Sequence, residues 1–178
     1  MALYENTLYI DKRKCPLYPV NDRKMSLIIP ISKQFDFHVP AQIDDVYELL
    51  ADVPRSVSHF PKVDRVVKLG ENDYRWEMEK MGIQKMSLQI QYTSHYTFNP
   101  REKWIRWSPV KGGNAEMGGL WRLTAKEKGT HIHFENDGKL IFPVPRMARM
   151  VVKPIATQRF LAMLDVYIDN LKQTFSTL

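Results

Sequence analysis

The sequence predicts an α+β fold in which a curved antiparallel sheet of about seven strands lies against one long C-terminal helix. Three observations predict it. From Pro145 to Phe175, apolar or small residues recur at steps of three and four (Met147, Met150, Pro154, Thr157, Leu161, Leu164, Ile168, Leu171, Phe175), one stripe along a single helix. Between Val63 and Phe142 the hydrophobic period is instead two, in six successive stretches. The connections between these stretches (ENDY, MGI, NPRE, KGGN, KEKG) are short and turn-like, so neighbouring strands are antiparallel. A helix of about 30 residues is roughly 45 Å long, and only a broad apolar sheet covers such a stripe.

Residues 1–33 read as an N-terminal extension punctuated by Pro16, Pro19 and Pro30, with Lys24–Ile31 compatible with an edge strand or with a segment lying over the domain. The folded domain is expected over residues 34–178. It opens with a half-buried strand, Gln34–Pro40, where Phe35, Phe37 and Val39 alternate with Asp36 and His38. Ala41–Val53 follows at helical spacing, with Asp44 and Asp45 in the first turns, where they complement the helix dipole. Pro54 ends that helix and a second short one is expected over Arg55–Phe60. The predicted strands are then Val63–Gly70, Asp73–Met81, Gln84–Phe98, Lys103–Val110, Glu116–Lys126 and Thr130–Phe142. Gly112-Gly113 is expected at a turn and Gly118-Gly119 at a bend or bulge.

A formal charge of +6 and a pI near 9.4 favour anionic partners. No dense Lys/Arg tract or nucleic-acid module is present, so nucleic acid is not expected as a partner. Cys15 is the one cysteine, which excludes an intrachain disulfide and a cysteine zinc cage and suits the reducing cytoplasm. The N-terminus has no signal-peptide pattern, and no window approaches a membrane span.

The stretch VPAQIDDVYELLADVPRSVSHFPKV resembles the opening of the START-like (SRPBCC) superfamily of polyketide cyclases, Bet v 1-type proteins, coenzyme Q-binding proteins and lipid-transfer domains. Val39-Pro40 ends a strand. Val46-Tyr47-Glu48-Leu49-Leu50-Ala51-Asp52 forms an aromatic-acidic-Leu-Leu-Asp helix core, and Phe60-Pro61 makes a corner. The resemblance covers about residues 34 to 176 and implies a helix-grip fold enclosing a hydrophobic ligand cavity. It implies binding or transport of a lipid, quinone or polyketide-like compound, with Tyr74, Trp76, Met78, Ile90, Tyr92, Tyr96 and Trp121 in the wall and Met147, Met150 and Val151 at the mouth.

Two further classes stay open. A polyketide cyclase or aromatase would fold its substrate in the same cavity, with Arg106 or His95 polarising a carbonyl or moving a proton. A protein-interaction module would use the groove or the extension. An inward titratable pair favours the enzyme, an all-apolar cavity the carrier, and a cavity filled by aromatic rings the interaction module. On Lys103–Val110 either Trp104, Arg106 and Ser108 face inward or Ile105 and Trp107 do; an inward Arg106 would anchor a carboxylate or phosphate. His131, His133 and Glu135 share one side of a strand, but Ile132 and Phe134 most economically take the core side, leaving the histidines in water. No catalytic, metal-ligating or cofactor-binding constellation is expected. Arg146, Arg149 and Lys153 sit near a helix N-terminus, where the dipole disfavours cations, beside Met147 and Met150. That pairing fits either a solvated basic rim or peripheral contact with an anionic membrane or an acidic ligand head.

Overall fold

A computed structural model describes residues 26–83 and 86–178. Cys15, Pro16 and Pro19 lie outside the described residues, and with them most of the expected extension.

Strand β1 (Ser26–Val39) is one strand of 14 residues paired along its whole length with β9 (Gly129–Pro143). Leu27, Ile29, Ile31 and Val39 are buried, Lys33, Phe35 and Phe37 are half-buried on the same phase, and the alternate residues are exposed, a single period of two. The expected boundary between residues 33 and 34 therefore falls inside a strand. Pro30 is tolerated because β1 is an edge strand, where a missing amide hydrogen leaves no ladder partner unsatisfied.

Helices α1 (Ile43–Ala51) and α2 (Val53–Val57) carry the chain from one edge of the sheet to the other. Val46, Leu49 and Leu50 fall on the buried face of α1. The Asp52 carboxylate accepts from the Arg55 amide (3.2 Å), and Pro54 occupies the first turn of α2, where its lack of an N–H is harmless. The second helix thus begins two residues earlier than expected.

Strands β2 (Val63–Lys68), β3 (Asp73–Met78), β6 (Gln91–Asn99), β7 (Trp104–Gly113), β8 (Ala115–Lys126), β9 and β1 form one antiparallel sheet in the order β1-β9-β8-β7-β6-β3-β2. The long strand expected over Gln84–Phe98 is broken: β4 (Met81–Ile83) and β5 (Met86–Leu88) pair as a separate small hairpin, and the sheet resumes at Gln91. The β6–β7 turn is built by Asn99, whose side-chain oxygen accepts from the amides of Arg101 (3.2 Å) and Glu102 (3.0 Å). Gly112 and Gly113, with φ of 125° and 85°, lie at the end of β7 in a bulge opposite Tyr92 and Thr93, with one residue between them and β8, rather than in the turn expected there. Gly118 and Gly119 make no bulge against β9, whose register is unbroken. Gly119 instead makes room, since a Cβ there would lie 2.2 Å from the Trp107 indole.

After a 3-10 turn (Arg146–Ala148), α3 (Arg149–Phe175) runs without interruption through Pro154 and lies across the concave face. Its buried side chains are Val152, Ala156, Phe160, Met163, Leu164, Tyr167, Ile168, Leu171 and Phe175. The expected stripe is correct from Leu164 onward. In the first half of the helix Met150, Pro154 and Thr157 turn away from the sheet, and the sheet side is taken by Val152, Ala156 and Phe160. Asn170 donates to the His59 carbonyl (2.8 Å) and His59 meets Thr174 Oγ1 (2.9 Å), pinning the corner after α2 to the end of α3.

Candidate functional site

Cross-strand pairing assembles an aromatic wall on the concave face. Trp76 on β3 stands opposite Tyr92 on β6 and the rings stack at 5.5 Å. Tyr96 stands opposite Trp107 and stacks at 6.2 Å; Trp121 stands opposite Phe134, with ring centroids 4.3 Å apart. Pairs of this kind are the stabilising unit of a sheet face. The helices close the other side. Phe60 packs edge-on to Trp76 (5.7 Å, 88°), and Tyr167 from α3 meets both Phe60 (5.1 Å) and Trp121 (6.1 Å).

Between these rings remains a space of about 40 Å³, bordered also by Ser56, Asn136, Phe160 and Leu164 and, among the described residues, by no charged side chain. That is room for on the order of three waters. Its polar groups are few. The Tyr167 hydroxyl shares a hydrogen bond with Ser56 Oγ (2.7 Å). Burial pushes the Tyr92, Tyr96 and Tyr167 hydroxyls well above the ordinary phenol range, so all three are neutral O–H groups across physiological pH. Among the described residues the Trp76 indole N–H reaches no acceptor at full hydrogen-bond geometry, although it faces the Tyr96 hydroxyl closely enough to offset part of that upward push. Asn136 is 6 % exposed, points inward in phase with Ile132 and Phe134, and its carboxamide nitrogen has no hydrogen-bond partner among the described residues. A buried amide donor left unpaired is destabilising and uncommon in a native core.

Of the residues expected at the site, Trp76, Tyr92, Tyr96 and Trp121 border this space. Tyr74 is buried behind them, edge-on to Tyr96 (5.5 Å), and Met78 and Ile90 are core residues that do not reach it. Arg106 is not in the wall: Ile105 and Trp107 take the inward phase, and the Arg106 guanidinium lies outside over Trp104, 5.6 Å from the ring centre. His95 is likewise outside, paired with Asp73 at 2.7 Å. Met147, in the turn before α3, and Met150 and Val151, at its start, are exposed and do not border this space. Sequence reasoning missed Phe60, Trp107, Asn136, Phe160 and Tyr167. Asn136 had a readable signal, an amide two residues beyond Phe134 on the same strand phase.

His133 sits on the outer face with both ring nitrogens engaged, Nε2 by Glu135 (2.7 Å) and Nδ1 by Asp36 (2.9 Å); Glu135 first and then Asp36 raise its pKa. Among the described residues no group of three or more His, Cys, Asp or Glu side chains is arranged to hold a metal ion.

The family model described as polyketide cyclase / dehydrase and lipid transport matches residues 39–165. No curated protein sequence matches the chain. Among solved structures, the Zhui aromatase/cyclase from a Streptomyces species superposes with a TM-score of 0.59 at 12% identity, covering 84% of this chain and 94% of that one. A START superfamily protein from Mycobacterium smegmatis gives 0.57 at 14% identity, covering 83% and 97%. A conserved protein from Geobacillus kaustophilus gives 0.60 at 10% identity, covering 84% and 96%. At these identities the likeness is one of fold.

Proposed function

The chain belongs to the polyketide cyclase / dehydrase and lipid transport family, and from that premise we propose that it binds a neutral, largely aromatic small molecule carrying a carbonyl or other acceptor oxygen, and that it does so without catalysing a reaction. The observation that carries this reading is the unpaired Asn136 donor in a wall with no charged side chain. An apolar core gains nothing from such a group, whereas a ligand oxygen would satisfy it. A fatty-acid or phosphate head would meet no cation there and would be desolvated uncompensated. The flat rings of Trp76, Tyr92, Trp107 and Trp121 suit a planar partner.

A space of about 40 Å³ does not hold such a molecule, since small-molecule sites usually run to roughly 300–1,000 Å³. The ligand therefore enters by displacing rings. A filled cavity would fit an interaction module equally well if its wall were apolar throughout, and Asn136 argues otherwise. For the cyclase reading, Arg106 and His95 lie outside the cavity, and the tyrosines inside are too weakly acidic to trade protons near neutrality.

The test is native mass spectrometry of the purified protein with solvent extraction of any retained compound. Tryptophan fluorescence titrations with flavone and with oleate would run beside it. Flavone is expected to bind and oleate not. Asn136→Leu should weaken flavone by about fivefold, the worth of one hydrogen bond. Tighter binding of oleate than of flavone, or indifference to Asn136→Leu, overturns the proposal.

A further inference from the structure

The first half of α3 has two apolar faces, and the described residues cover only one. Val152, Ala156 and Phe160 meet the sheet. On the opposite side Met147 is 93 % exposed, Met150 86 % and Val151 39 %, three of the seven large exposed hydrophobic residues among those described, all within five positions. At about 100° per residue these three and Pro154 share an outward arc of roughly 100°. An open groove continues from it past Pro154, Thr157 and Leu161.

Along the chain the charge of this segment has one sign, and Asp165, at the far end of the groove, is paired with Lys33. From Gly138 to Leu164 the sequence has no Asp or Glu and five Lys or Arg residues: Lys139, Arg146, Arg149, Lys153 and Arg159. Lys139 is held by Glu116 (2.9 Å) and Arg159 donates to the Gly82 carbonyl (2.8 Å). Arg146 and Lys153 are exposed and flank the methionine arc on one side. Their placement does not come from the helix dipole, because the N-terminal end of a helix repels cations and favours anions. Among the described residues no helix is long and apolar enough to cross a bilayer, so a contact made here is peripheral.

We propose that this face docks on the surface of an anionic lipid bilayer. Met147, Met150 and Val151 enter the boundary between headgroups and acyl chains, where flexible thioether side chains adapt to a fluid surface. Arg146 and Lys153 meet the lipid phosphates. The inference is independent of the cavity ligand, but the two share a helix: Phe160 in the cavity wall is ten residues, about 15 Å, beyond Met150. Docking therefore brings the closed site to a hydrophobic reservoir.

Co-sedimentation with vesicles of phosphatidylcholine alone, and of equimolar phosphatidylcholine and phosphatidylserine, tests it with the full chain. The protein should bind the mixed vesicles and not the neutral ones. Arg146→Gln with Lys153→Gln should weaken binding by about fivefold per charge, roughly 30-fold together. Raising salt on the unmodified protein should reproduce the loss. Met147→Ser with Met150→Ser keeps the charge and should weaken binding by roughly tenfold. All four residues are exposed, so both double variants should melt with the parent. No binding to mixed vesicles, or binding indifferent to salt, overturns the proposal. Full binding by the serine variant also overturns it, since a surface held by charge alone is one for an acidic protein.

Discussion

A leucine at position 136 would keep the branching of the asparagine without its unpaired donor, and the adjacent space of about 40 Å³ takes up its extra bulk. Asn136→Leu should therefore stabilise the ligand-free protein by roughly 1–2 kcal/mol, the cost of burying an unsatisfied amide. Thermal melts of the two proteins would read this as a rise of several degrees. An unchanged or lower Tm would mean the amide is satisfied within the fold. At this scale much was legible. The inward phase of Thr130–Phe142 follows from Ile132 and Phe134, and it places Asn136 inside and both histidines outside. Arg106 was not legible, because both phases of Lys103–Val110 carry a tryptophan and periodicity cannot choose between them. The choice is made by distant partners: Trp107 needs the bare backbone of Gly119, on the neighbouring strand, to lie against.

For the elements, the extents of α1 and α3 and most of the strands followed from period alone, and the facing of α3 only in part. Leu164 is buried and Met150 exposed, so Leu164→Asp should cost several kcal/mol by placing a charge in the sheet–helix seam, while Met150→Asp should change stability by less than about 0.5 kcal/mol. Chemical denaturation of both variants checks this, and equal losses would contradict the facing described above. The first half of the helix misleads a sequence reader because apolar residues occupy two sides. The stripe that best fits a spacing of three and four runs through Met147, Met150 and Pro154, which is the uncovered side. Two further boundaries were hidden for local reasons. Pro30 looks like a break yet sits harmlessly on an edge strand, and the β4–β5 hairpin interrupts an apparently continuous alternation without a Gly-Pro turn of its own.

Across the whole molecule, the run of sequential hairpins from β6 to β9 was legible from short connections, whereas the return of β1 to pair with β9 is a contact between residues about a hundred positions apart that no local pattern reports. The aromatic space is likewise built by distant residues, from α2, the sheet and α3. Its consequence concerns time. A site with room for a few waters cannot admit a planar molecule by diffusion alone, so binding waits on a rarer, opened form whose small population weakens the apparent affinity in proportion. The observed association rate should climb with ligand concentration and then level off at the rate of opening, and departure should be slow for the same reason. For such a protein, occupancy is governed as much by how often it opens as by how well it holds.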